Sequence, residues 1–126
     1  MNTRKTIFAV DDSDSNLYVL NQALDGQYRV MTMLSAAKMF TLMEKVKPDL
    51  ILLDIEMPGM NGFEALERLK ANHSYAGIPV IFLSGYFDDT IKARGLQLGV
   101  ADFVSKPFVA SALMDCIQKQ LSKQEI

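Results

Sequence analysis

The chain has 126 residues, 49% hydrophobic and 22% charged, and its 13 basic and 15 acidic side chains leave a formal net charge of -2. That length suits one domain with a substantial core and leaves no room for a second, and the near-balance of charge gives no electrostatic case for nucleic acid or an anionic membrane as a partner. A single cysteine, Cys116, excludes an internal disulfide and a cysteine metal cluster.

The first segment, MNTRKTIFAVDD, holds only the apolar run Ile7 to Val10 before two aspartates. It is too short for a signal-peptide core, no later segment approaches a membrane span, and a cytoplasmic protein is expected. Ile7–Val10 reads as a strand ending on Asp11-Asp12, and Leu17, Leu20 and Leu24 follow at helical spacing behind Ser13, a good N-cap. After the turn signal Asp25-Gly26, Tyr28–Met31 is a candidate strand; Ala36, Met39, Met43 and Val46 then form a stripe behind Ser35. Leu50–Leu53 is an unbroken apolar run, the mark of a strand covered on both faces, and it ends on a carboxylate, Asp54. Phe63, Leu66 and Leu69 make a shorter stripe after Asn61-Gly62, and Ile78–Leu83 is a strand ending on Ser84. Ile91–Leu98 is a weaker helix, because a mid-helix glycine such as Gly95 costs about 1 kcal/mol against alanine. The weakest strand, Asp102–Val104, ends on Ser105-Lys106-Pro107. The clearest stripe closes the chain: Val109, Leu113, Cys116, Ile117 and Leu121, with Ser122–Ile126 expected to fray.

Strand and helix alternate five times, which argues for a parallel sheet with helices on both faces, joined by right-handed crossovers. All strands of such a sheet end at one rim, where ligands bind. Asp11, Asp12, Asp54, Ser84 and Lys106, distant in sequence, are expected to meet there. Like-charged carboxylates at ~4 Å repel by about 4 kcal/mol per pair at an effective dielectric near 20. Lys106 and a divalent cation are the natural compensation, and an oxygen-only donor set suits Mg2+. A metal, a lysine and a hydroxyl around a carboxylate are also what phosphoryl transfer to an aspartate requires. Taken singly, the same residues have plain explanations: acids before Ser13 suit a helix N-terminus, Lys106 suits a surface turn, and Phe103 suits the core. Those explanations would all have to hold at one edge of one sheet.

With Asp11-Asp12, LILLDIEMPGMNG around Asp54, Ser84-Gly85 and Ser105-Lys106-Pro107 in this order and spacing, the chain resembles the receiver domain of two-component response regulators over essentially its whole length. The resemblance implies a flavodoxin-like doubly wound (βα)5 fold with strand order 2-1-3-4-5, one receiver domain over 1–126 with its core at about 5–121, either stand-alone or cut from a longer regulator. It implies Asp54 as the phosphoacceptor, supplied by a sensor histidine kinase or phosphotransfer protein. Asp12, Asp54 and the backbone carbonyl of Glu56 would bind Mg2+ directly, with Asp11 acting through water. Lys106 and the Gly85 backbone would contact the phosphoryl oxygens, and Ser84 with Phe103 would form the switch. The Lys106-Pro107 bond would be cis. Glu56 and Tyr86 are expected beside the path of hydrolytic water, with Tyr86 shielding the phosphoryl group. The output surface would be the fourth helix, fifth strand and fifth helix. It would act on an output domain or effector protein, with a phosphorylation-linked homodimer as one form. GLQLGVADFVSKPF is similar to receivers that precede cyclic-dinucleotide output domains.

Other functions compete. Asp54-Ile55-Glu56 faintly resembles the acid-x-acid motif of haloacid-dehalogenase-like phosphohydrolases, but Met57-Pro58 does not match and there is no cap domain. A nucleotide or flavin binder would need a glycine-rich or Walker motif, and the loop after the first strand is acidic instead. A degenerate receiver that signals by dimerisation alone conflicts with the intact acidic set. His73 reads as an exposed loop residue, Cys116 as a small buried hydrophobe, and the eight methionines as core filler.

Overall fold

The computed structural model describes residues 4–124. Five strands, β1 (Thr6–Val10), β2 (Arg29–Met33), β3 (Leu50–Asp54), β4 (Val80–Ser84) and β5 (Asp102–Ser105), form one parallel sheet in the order β2-β1-β3-β4-β5. The three inner strands are buried along their whole length, which is why they read as continuous apolar runs. Alternate side chains point to opposite faces. Ile7, Ala9, Leu50, Leu52, Ile81 and Leu83 pack under α1 (Asp14–Leu24) and α5 (Ala110–Lys123). On the other face Phe8, Val10, Ile51, Leu53 and Phe82 pack under α2 (Ala36–Met43), α3 (Gly62–Lys70) and α4 (Asp89–Leu98). This is the expected doubly wound architecture, and it leaves the crevice between the ends of β1 and β3, where the winding reverses, as the place for a site.

Ser13 caps α1 as expected, and the structure adds side-chain caps at Ser35 and Asn61. Ser13 and Ser35 accept the backbone N–H groups of Asn16 and Lys38, and Asn61 forms a reciprocal capping box with Glu64. Where boundaries differ, the reasons are local. Strand β2 starts at Arg29 and reaches Met33, because the N–H of Tyr28 is held by the carbonyl of Leu24 and its ring is buried beneath α1. Strand β4 starts after Pro79, whose nitrogen has no hydrogen to give a ladder. Val46 lies beyond α2, half-buried in the following turn.

Helix α4 forms in spite of Gly95. A Cβ there would meet the Phe103 ring at 3.0 Å and Val100 at 3.2 Å, so the glycine admits the ring beneath the helix. Asp88 caps the N-terminus of α4, and Gly99 ends it at φ 95, a left-handed turn suited to glycine. Val109 is the exposed N-cap of α5 rather than part of its buried stripe, which is Leu113, Ile117 and Leu121. Cys116 is half-buried, and its thiol donates to Asp102 Oδ2 at 3.2 Å; burial foremost, with the Asp102 carboxylate, pushes its pKa to about 12. Ser122 and Lys123, expected to fray, are helical; Glu125 and Ile126 lie outside the described residues, as do Met1–Thr3 of the first segment. His73 is exposed in its loop, and four methionines (Met33, Met39, Met43 and Met57) are buried in the core.

Candidate functional site

Four of the five strands, β1, β3, β4 and β5, bring polar groups to the C-terminal rim, whereas β2 ends on Met33-Leu34 and brings none. Asp11 follows β1, and Asp54 is the last residue of β3; both are buried, Asp54 to 2% exposure. Asp12 is exposed. Oxygens of Asp11, Asp12 and Asp54 all lie within 4.8 Å of one another. Lys106, just past β5, reaches into this group: its Nζ is 2.9 Å from Asp11 Oδ2 and 3.2 Å from Asp54 Oδ1. Its backbone N–H donates to the carbonyl of Ser84 at 2.9 Å, tying the ends of β4 and β5 together, and the Lys106-Pro107 bond is cis.

Two aspartates buried side by side share one ammonium. Burial, and then the charge of Asp11, push the Asp54 carboxyl up to about 6, although Lys106 and the Glu56 N–H at 3.3 Å pull the other way. For Lys106, burial disfavours the ammonium. The hydrogen bond to Asp11 and the charges of Asp54 and Asp11 outweigh it, and the net shift is upward. Three carboxylates against one ammonium leave the rim negative. An oxygen-only donor set with one exposed member is what a hard divalent cation takes. The residues present therefore fit a metal of the Mg2+ type, with Asp12 as its open side.

Gly62 fixes the approach of α3 to this rim. Its N–H donates to the Ile55 carbonyl at 2.8 Å, and an added Cβ would lie 2.7 Å from the Asp54 carbonyl oxygen. Ser84 is buried, and its hydroxyl is occupied by the next turn: it donates to the Tyr86 carbonyl at 2.8 Å and accepts the Tyr86 N–H at 3.1 Å. Gly85 and Glu56 are exposed, and Tyr86 is 64% exposed. Phe103 is half-buried on the face opposite α5, its ring centroid 5.1 Å from Phe87 and 6.3 Å from Phe82. The structure thus gathers Asp11, Asp12, Asp54 and Lys106 into one contact group. It links Ser84 to that group through the backbone of Lys106, and seats Phe103 apart from the acids under α4.

One participant escaped the sequence reading. The Asn16 amide lies 3.4 Å from Asp11 Oδ1 and 3.3 Å from Oδ2. Its only signal is its place three residues after the N-cap Ser13, where a side chain often returns to the cap's N–H. Here Asp11 Oδ1 takes that N–H at 3.0 Å, and Asn16 turns to the aspartate instead.

Fold and site together define a doubly wound α/β domain with an aspartate, a diacid and a lysine at the switch-point rim. The family model described as response regulator receiver domain matches residues 7–118, and the chain belongs to that family of CheY-like, phosphoryl-accepting switches of two-component signalling. Similar proteins include a probable cyclic di-GMP phosphodiesterase of Vibrio cholerae, 34% identical over 94% of this chain, and the DNA-binding response regulator MtrA of Mycolicibacterium smegmatis, 31% identical over 97%. The chain spans 27% and 53% of those two proteins; it spans 97% of protein PilH of Pseudomonas aeruginosa, which is 32% identical over 92% of this chain. Among solved structures, chemotaxis protein CheY4 of Vibrio cholerae superposes with a TM-score of 0.88 at 27% identity, covering 93% of this chain and 98% of that one. The phosphohydrolase alternative finds no support in these matches. Among the described residues no helix is long and apolar enough to cross a membrane.

Proposed function

We propose that Asp54 accepts a phosphoryl group from the phosphohistidine of a sensor histidine kinase or phosphotransfer protein. The observation that carries this reading is the Lys106 ammonium held between buried Asp11 and Asp54 at the open rim of the sheet. An Asp54 oxygen forms the new O–P bond as the P–N bond breaks and the histidine nitrogen takes back its electron pair. Asp54 is kept near the attack position by the Glu56 N–H and Lys106. Lys106 and the Gly85 backbone then serve the phosphoryl oxygens.

Mg2+ would be held by Asp12, Asp54 and the Glu56 carbonyl, and would supply charge neutralisation for the phosphoryl oxygens. Asp11, whose two oxygens are already engaged by Ser13, Asn16 and Lys106, fits a role through water rather than direct ligation. The Ser84 hydroxyl leaves the Tyr86 carbonyl for the phosphoryl group, and Phe103 repacks with it, altering the surface of α4, β5 and α5. That surface acts on an output domain in a longer chain or on a separate effector, in the cytoplasm. The protein turns over no external substrate, and a homodimer through the same surface belongs to the phosphorylated form. Tyr86 shields the phosphoryl group from water: Tyr86→Ala is expected to lose label faster than wild type in a phosphate-release time course, and slower loss would refute the role.

Intact mass after incubation with acetyl phosphate tests the central claim. One phosphoryl group is expected on wild type with Mg2+, and none without Mg2+ or on Asp54→Ala. Equal addition to Asp54→Ala would move the acceptor elsewhere.

A further inference from the structure

The Asp11 side chain is wholly buried, and its partners are few. Oδ1 accepts the Ser13 N–H at 3.0 Å, Oδ2 faces Lys106 Nζ at 2.9 Å, and the Asn16 amide straddles both oxygens at 3.4 and 3.3 Å. The individual amide contacts are long. Asn16 is nevertheless the one side chain besides Lys106 that donates to this carboxylate among the described residues.

Lys106 has two claims on it before any phosphoryl group arrives, since it also lies 3.2 Å from Asp54 Oδ1. A phosphoryl group on Asp54 brings further charged oxygens to that ammonium. As Lys106 turns to them, Asp11 Oδ2 loses its closest side-chain donor, and a buried acceptor short of a partner is costly. The Ser13 N–H cannot help, because it is fixed on Oδ1. The Asn16 amide already lies within reach of Oδ2, and it does so at the expense of the ordinary use of its position. In a usual N-terminal box it would return to Ser13, whose N–H Asp11 has taken.

We infer that Asn16 is a positioning residue that acts through Asp11: by holding the Asp11 carboxylate it frees Lys106 for the phosphoryl group on Asp54. The inference rests on the reading of Asp54 and Lys106 given above. A neutral donor suits this role better than a second cation, which would compete with the metal, or a carboxylate, which would repel Asp11.

The test compares wild type, Asn16→Leu and Asn16→Gln in two assays: phosphoryl uptake from acetyl phosphate at saturating Mg2+, and affinity for beryllofluoride with Mg2+ read from backbone amide shifts. Loss of a hydrogen bond to a charged, buried acceptor predicts a drop of about tenfold in both for Asn16→Leu. The acetyl phosphate concentration for half-maximal rate is expected to stay unchanged. Asn16→Gln, which keeps the amide on a longer arm, recovers a large part of the loss. In an Asp11→Asn background Asn16→Leu has no further effect. Asn16→Ala, run in parallel, serves if leucine disturbs the turn, and unfolding midpoints check that both variants fold. Wild-type behaviour of Asn16→Leu and Asn16→Ala, a glutamine variant as slow as leucine, or an undiminished effect in Asp11→Asn each overturns the inference while leaving Asp54 as the acceptor. Failure of wild type to take a phosphoryl group at all removes the underlying reading, and this inference with it.

Discussion

Asp54 is a buried carboxylate with a second carboxylate, Asp11, beside it and the Lys106 ammonium at 3.2 Å. A carboxylate in water titrates near about 3.9, whereas burial and the neighbouring Asp11 lift this one to about 6. A folded-state pKa above the unfolded value means the native state favours the proton. The stability from this group is full below the ordinary carboxylate range and is lost as pH rises through about 6. Asp54→Asn keeps the shape and removes the charge, so in EDTA at pH 7.5 it is expected to stabilise the fold by on the order of 1–3 kcal/mol, with the gain gone by about pH 4. Urea unfolding at the two pH values reads this, and equal midpoints at pH 7.5 would mean that Lys106 already compensates the charge in full. The residues of this site were legible to different degrees for a physical reason. Asp11, Asp54 and Ser84 each end an apolar run, and a polar group at the end of a buried strand demands an explanation, whereas Lys106 follows only the half-covered strand β5. Asn16 interrupts nothing: an asparagine in the first turn of a helix is ordinary, and its use depends on where a carboxylate five residues earlier points.

At the scale of elements, α4 is the segment whose sequence and structure disagree most instructively. Gly95 counts against a helix by propensity, yet the helix forms because the absent Cβ leaves room for Phe103, which also meets Phe82 and Phe87. Gly95→Ala would gain about 1 kcal/mol of propensity and lose more through overpacking, typically about 1–3 kcal/mol, so a net loss of stability is expected. Phe103→Leu in the same chain should recover most of that loss in a double-mutant cycle. If Gly95→Ala is more stable than wild type and indifferent to the residue at 103, the ring is not seated by this glycine. Leu96, 62% exposed, further weakens the pattern of α4, because its apolar side chain faces away from the core. The edge strands β2 and β5 were the least legible for a related reason. They are only partly covered, so their apolar residues neither run unbroken nor alternate cleanly, and β2 could be placed only to within a few residues. The inner strands, buried on both faces, carried the fold almost unaided, and the cis bond before Pro107 left no mark that sequence pattern alone could read.

For the molecule as a whole, the rim couples charge to folding. The near-neutral total hides a local excess, since Asp11, Asp12 and Asp54 converge only when β1 and β3 pair. A cation site made by folding has no counterpart in the unfolded chain, so cation binding must stabilise the native state by RT ln(1 + [L]/Kd). At Mg2+ ten times its dissociation constant this amounts to about 1.4 kcal/mol. The effect should be larger at pH 7.5 than at pH 5. Below about 6 the Asp54 carboxyl holds a proton that the metal must displace. Asp12→Ala, which removes the exposed carboxylate, should abolish most of the Mg2+ response while changing the metal-free fold little, because that side chain is in water. Thermal or urea unfolding with Mg2+, and with sodium chloride at matched ionic strength, separates specific binding from screening. A Mg2+ shift that sodium reproduces, or that survives Asp12→Ala undiminished, would assign the stabilisation to general charge screening. A shift confined to Mg2+ and lost with Asp12 would tie the stability of the entire sheet to an ion held at this rim, as the proposed phosphoryl transfer to Asp54 needs.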